Sequence, residues 1–307
     1  MQTAYITHPA CRLHDMGLLH PESPARLGAI EDRLIASGLM DYLRKEEAPP
    51  ATDEQLTRVH TREYVAGIRA SAPTRGTIQL DPDTAMNPHS LEAALHAAGA
   101  VVRATELVLE KQVENAFCAV RPPGHHAESA RAMGFCIFNN IAVGVAHALA
   151  KYPLTRIAIA DFDVHHGNGT EEIFRDDKRV MLCSSFQHPF YPHSGADSGN
   201  EHIINTPLPA GSGGEAFRAA VAEHWLPALE RFRPEMLFIS AGFDAHREDD
   251  MAYLNLLEPD YAWVTEQLKV IAARHAQSRI VSALEGGYDL DALGRSAQTH
   301  IKVLSGL

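Results

Sequence analysis

Five short apolar runs, each followed at once by a polar or glycine-rich segment, constrain this chain more than any other feature. The runs are residues 116–120, 156–160, 180–184, 236–240 and 280–283. Between them lie apolar periodicities of helical type over 90–110, 140–150, 214–231 and 260–276. Strands that stay apolar on successive residues are buried on both faces. Alternated with helices, they predict an α/β fold with a parallel sheet between two helical layers. The segments that follow the runs are 121–126, 161–169, 185–191, 241–246 and 285–288. In open α/β sheets sites form at the carboxyl ends of strands, so these five tips are expected to converge on one crevice.

No linker, repeat or low-complexity tract interrupts the 307 residues, and a single domain over 1–307 is expected. Hydrophobic residues make up 45%, enough for a large core. The net charge of −12 argues against nucleic acid, because phosphate binding needs clustered Lys and Arg. Eighteen histidines point toward metal or proton chemistry. The four cysteines form no CxxC pair, so neither a thiolate zinc site nor a disulfide framework is suggested. Without a secretory signal or a membrane-spanning apolar run, the chain reads as cytoplasmic, with no membrane partner.

The richest tip is Asp161-Phe-Asp-Val-His-His-Gly. In extended chain Asp161, Asp163 and His165 share a face. Asp163 and His165 can grip one ion, while Asp161, one step deeper, suits orienting a neighbouring group. Asp244, just past the run 236–240, is the natural third ligand. Three protein ligands and one open position is the pattern of a catalytic zinc. Two carboxylates and a neutral imidazole nearly cancel the charge of a divalent ion, so this site acidifies water less than a three-histidine one. A dedicated base and an extra electrophile should stand nearby. His125 and His126, after a rigid Pro-Pro-Gly turn, offer the base, and either can be the one that reaches the leaving amine. Tyr288, presented by Gly286-Gly287, offers a phenol for a developing oxyanion.

Taken together, His20-Pro-Glu-Ser-Pro-Ala-Arg26, Arg121-Pro-Pro-Gly-His-His126, Gly134-Phe-Cys136, Asp161-Phe-Asp-Val-His-His-Gly-Asn168, Ala241-Gly-Phe-Asp-Ala245 and Gly286-Gly-Tyr288 resemble the histone deacetylase family, in family order over nearly the whole chain. The resemblance implies an arginase-like three-layer α/β fold with a central eight-stranded parallel sheet. It implies zinc on Asp163, His165 and Asp244, His126 as general base and acid, and His125 as an electrostatic group held by Asp161. Tyr288 would polarise the amide carbonyl. Gly134, Phe135 and Tyr191 would wall a tunnel, with Arg26 at its base. A structural potassium ion would take Asp161, carbonyls of Asp163 and His165, Ser185 and the carbonyl of Phe186.

Asn168 stands where class I enzymes carry a carboxylate, which makes the chain class II-like and should leave His126 neutral at rest. Met251 occupies the position where polyamine deacetylases place an acidic gatekeeper, and so favours a less charge-selective mouth. Asp83 falls where relatives use a rim carboxylate to hold a peptide backbone, although a loop aspartate is often simply solvated. The expected substrate is an acetylated lysine peptide or protein, or a similar small acetylated amine. The alternative is an acetylpolyamine. Homo-oligomerisation is left open.

Overall fold

The computed structural model describes residues 2–307. Its strands are β1 (Thr3–Thr7), β2 (Arg44–Glu47), β3 (Ile78–Asp81), β4 (Thr84–Met86), β5 (Asn115–Cys118), β6 (Ile157–Asp161), β7 (Val180–Gln187), β8 (Ile203–Leu208), β9 (Met236–Ala241) and β10 (Ile280–Leu284). Eight of them form one sheet in the order β2-β1-β5-β10-β9-β6-β7-β8, and β3 and β4 make a separate hairpin. Every pair in the large sheet is parallel. The five apolar runs are its five contiguous central strands, and every residue of β5, β6, β7, β9 and β10 is buried. β7 continues to Gln187, so Ser185 and Phe186 lie within the strand rather than in a loop beyond it.

Three further strands of the large sheet carry no such signal. β2, Arg-Lys-Glu-Glu, and β8, which contains Pro207, are the two outermost. An edge strand has one open side, where charges and a proline cost little. β1 lies between β2 and β5, with Thr3–Ile6 buried.

The chain places β6, β7 and β8 outward toward one edge, then returns to insert β9 and β10 between β6 and β5. That reversal is a topological switch point, where the strand tips open into a crevice. The helices Ser90–Leu109, Asn140–Lys151 and Glu258–His275 match the predicted periodic segments to within two residues at each end. The predicted 214–231 helix is Gly214–Ala220 and Leu226–Phe232 joined by a π turn at Val221–Trp225. Pro227 has no N–H for the helical ladder, and the wider turn before it absorbs that defect. No described helix is long and apolar enough to cross a membrane.

Candidate metal centre and active site

The tip of β6 is shaped by its own aspartates. Asp161 Oδ1 accepts the Asp163 N–H at 3.1 Å, and Asp163 Oδ1 accepts the His165 N–H at 2.9 Å. Such local side-chain-to-backbone bonds hold successive residues in a turn. Asp244, three residues past β9, accepts the Val164 N–H on Oδ1 at 3.0 Å, which ties the two tips together. His165 Nδ1 then lies 3.1 Å from Asp163 Oδ1 and 3.2 Å from Asp244 Oδ2. The three residues are buried, and one potential ligand atom from each lies within 4.8 Å of the others.

This arrangement fits a cation. Asp244 Oδ2 is buried and has no hydrogen-bond partner among the described residues. An orphaned anionic oxygen is costly in a protein interior unless something positive answers it. Burial opposes charge on His165, yet the Asp163 and Asp244 carboxylates beside it pull its pKa up to about 10. The field therefore demands positive charge at this point, and a divalent ion supplies it as well as a proton does. Two glycines leave the room: a Cβ on Gly242 would stand 2.0 Å from Asp163 Oδ2, and one on Gly286 would stand 2.0 Å from Asp244 Oδ2.

The histidine pair follows β5. His125 Nδ1 lies 3.0 Å from Asp161 Oδ2, and its Nε2 is 3.8 Å from Asp163 Oδ1. Burial opposes a charged ring, but Asp163 and Asp161 outweigh it and hold the pKa well above the ordinary histidine value. His126 is different. Burial, then the neighbouring His125 and His165, push its pKa well below that value. Its Nδ1 meets Asn168 Oδ1 at 2.8 Å, while the Asn168 NH₂ donates to Glu128 Oε1 at 2.8 Å. Glu128 thus fixes which end of the amide faces the ring. The oxygen accepts a hydrogen bond from Nδ1–H, so the neutral ring carries its lone pair on Nε2.

Beneath the pair sits Glu285, a buried residue whose role sequence reasoning missed. Its Oε2 accepts the N–H groups of Gly124 at 2.6 Å and His125 at 3.1 Å, while Oε1 accepts the Ser240 hydroxyl at 3.1 Å. Its position just before Gly286-Gly287 was the one signal available.

A cavity of about 310 Å³ opens over these groups. Asp83, His126, Gly134, Phe135, His165, Phe190, Tyr191, Met251 and Tyr288 line it. All but Phe190 are residues singled out from the sequence. Phe135 has φ 68°, a left-handed conformation that costs a non-glycine residue on the order of 1–3 kcal/mol. The hairpin holds it there, because Asp83 Oδ1 accepts the Gly134 N–H at 3.0 Å and Thr84 Oγ1 accepts the Phe135 N–H at 3.0 Å. Tyr288 stacks edge-on against Phe135, with ring centroids 5.9 Å apart. Burial, then Asp244, hold its phenol well above the usual pKa, so it stays a proton donor.

Residues 20–304 match the model of the histone deacetylase domain. The chain belongs to the histone deacetylase family. It is 40% identical over 278 residues to a histone deacetylase-like amidohydrolase of Pseudomonas aeruginosa, covering 88% of this chain and 72% of that one. It is 36% identical over 315 residues to a probable deacetylase of Archaeoglobus fulgidus, covering 100% and 86% respectively. The crystal structure of the HDA15 HD domain superposes with a TM-score of 0.94 at 35% identity, covering 99% of this chain and 88% of that one. The chain is a hydrolase acting on amides, with the eight-stranded parallel architecture of a histone deacetylase domain.

In this histone deacetylase domain two expected placements differ. Arg26 is not among the cavity-lining residues but lies behind the wall. Its Nε donates to the Gly287 carbonyl at 2.6 Å, its NH1 meets Glu22 Oε1 at 3.0 Å, and its Cζ sits 5.0 Å from the centre of the Tyr288 ring. Arg121, on the β5 tip, meets Glu22 Oε2 at 2.7 Å, so the His20–Arg26 segment bridges two tips. For the potassium ligands, the register pairs Asp161 with Ser184 rather than Ser185. Directly paired residues point to the same face of a sheet, which turns the Ser185 side chain away from Asp161. His166, one residue beyond the ligand candidate His165, is buried, with Nε2 2.9 Å from Glu171 Oε2.

Proposed function

We propose that this chain is a zinc-dependent deacetylase that removes an acetyl group from the amine of a lysine side chain or a similar alkylamine. The reading rests on one observation: His126, Tyr288 and the ligand candidate His165 all line the same cavity. Asp163, His165 and Asp244 would hold the zinc. When bound there, zinc would supply Lewis acidity toward a water and an amide carbonyl.

The chain's own groups do the rest. His126 Nε2, unprotonated at rest, takes a proton from the attacking water and returns it to the departing amine. His125, its Nδ1 3.0 Å from Asp161 Oδ2, would stand behind His126 as an electrostatic group held by that carboxylate. The Tyr288 hydroxyl donates to that oxygen. Phe135, Phe190 and Tyr191 exclude water around an alkyl chain. Asp83, anchored to the Gly134 N–H, stands at the rim where a peptide backbone would lie. Met251 lines the cavity where a carboxylate would be needed to select a polyamine, which favours acetyl-lysine over acetylpolyamines. For potassium we keep Asp161 and the carbonyls of Asp163, His165 and Phe186 as ligands, with Ser184 in place of Ser185. Potassium should raise the unfolding temperature above that in sodium at equal ionic strength.

The test is a panel of acetyl-lysine peptides, acetylputrescine and acetylspermidine on zinc-loaded protein. Faster turnover of the peptides is expected. Turnover of polyamines alone would overturn the lysine assignment, and turnover of neither substrate class would overturn the activity.

A further inference from the structure

The turn that presents Tyr288 has little stiffness of its own. Gly286 and Gly287 precede it, and Gly287 has φ 119°, a region open to glycine. Something outside the turn must therefore set the direction of the phenol. On the carbonyl side Arg26 grips the Gly287 oxygen. On the amide side the restraint is Asp249, which is 5% exposed and belongs to the loop after the ligand Asp244. Asp249 Oδ2 accepts the Tyr288 N–H at 2.6 Å and the Asp289 N–H at 3.0 Å. Its other oxygen accepts the Met251 N–H at 3.0 Å. One buried carboxylate thus holds the residue that offers the phenol and a residue of the cavity wall. Asp249 itself does not line the cavity.

We infer that Asp249 is a positioning residue for Tyr288, tying the electrophile and the cavity-wall residue Met251 to a single anchor. The inference rests on the role given to Tyr288 above. Carboxylate bonds to backbone N–H groups are charge-assisted and directional, so one side chain sets both the height and the angle of the turn. A reacting group displaced by about 1 Å costs roughly 100-fold in rate. Asp249→Ala frees the turn and is expected to lower kcat by about 10- to 100-fold while KM changes less than about threefold. Asp249→Asn keeps one acceptor oxygen and should recover much of the loss.

A double-mutant cycle with Tyr288→Phe separates positioning from general support of the fold. If Asp249 acts through the phenol, Asp249→Ala costs nothing further once the phenol is gone. Losses that multiply in the double variant would overturn the inference, as would a rise in KM at unchanged kcat. Hydrogen exchange gives a readout independent of turnover. The Tyr288 and Asp289 amides should lose protection in Asp249→Ala, while the Gly134 amide, held by Asp83, should not. Unchanged protection at Tyr288 and Asp289 refutes the anchor even if the native chain hydrolyses nothing, and a native chain without activity refutes the proposed reaction alone.

Discussion

Asn168 presents its amide oxygen to His126 Nδ1 at 2.8 Å and its amide nitrogen to Glu128. The contact holds the ring in one tautomer without adding charge. A carboxylate in the same place would do both. Asn168→Asp should therefore raise the His126 pKa, because an anion facing Nδ1–H favours the imidazolium. The base is the neutral form, so the acidic limb of kcat/KM should move to higher pH, by roughly one unit or more. A pH–rate profile that superposes on that of the native chain would show that His126 is not the base.

Tyr288→Phe removes one hydroxyl at the end of the cavity. Loss of a single oxyanion donor costs on the order of 10²- to 10³-fold in kcat. KM and zinc content should stay close to native, because the hydroxyl touches neither the ligands nor the alkyl walls. Steady-state kinetics with metal analysis by mass spectrometry checks both halves. Unchanged turnover removes Tyr288 from the mechanism.

Gly286→Ala tests the metal centre without touching a ligand. Its Cβ would stand 2.0 Å from Asp244 Oδ2 and 2.6 Å from Asp163 Oδ2, atoms with no room to retreat in a buried site. Zinc affinity should fall by at least an order of magnitude, with activity falling in parallel and recovering in part at high zinc. A zinc titration giving native affinity would place the ion elsewhere.

His300 carries a prediction about stability. It is fully buried, with Nδ1 2.7 Å from the Thr265 hydroxyl and Nε2 2.9 Å from that of Ser282. Burial lowers its pKa to about 3. The unfolded chain binds the proton below about pH 6.5 and the folded chain does not, so stability is lost as pH falls from about 6.5 toward 3. At pH 5 the loss is roughly 2 kcal/mol. Urea denaturation of the native chain and of His300→Phe should show the gap between them shifting against the native chain by about that amount from pH 7 to pH 5. A gap independent of pH rules the account out.

The legible part of the site follows a physical pattern. Residues proposed to act with their own side-chain chemistry, such as Asp163, His165, His126 and Tyr288, stood out because their types are unusual directly after an apolar strand. Glu285 and Asp249 were not legible in the same way. They act by accepting backbone N–H groups, which every non-proline residue has, so no pattern of side chains announces them. Arg26 was recognisable as part of a motif, but its place behind Tyr288 was not. The strands β2 and β8 escaped because an edge does not demand apolar residues on both faces.

By itself, the sequence determined the class of fold, the five central strands and the chemistry waiting at their tips. It could do so because a strand buried on both sides must be apolar throughout, and because a polar cluster just beyond such a strand needs a reason to be there. Only the tertiary structure decided which tips meet. The insertion of β9 and β10 between β6 and β5 brings Asp244 to His165 and Tyr288 to His126's cavity. It also decided how the groups are aimed, through Asn168 on His126, Asp161 on His125 and Asp249 on the Tyr288 turn. Strand order and hydrogen-bond direction are properties of distant parts of the chain in contact, and no local pattern encodes them.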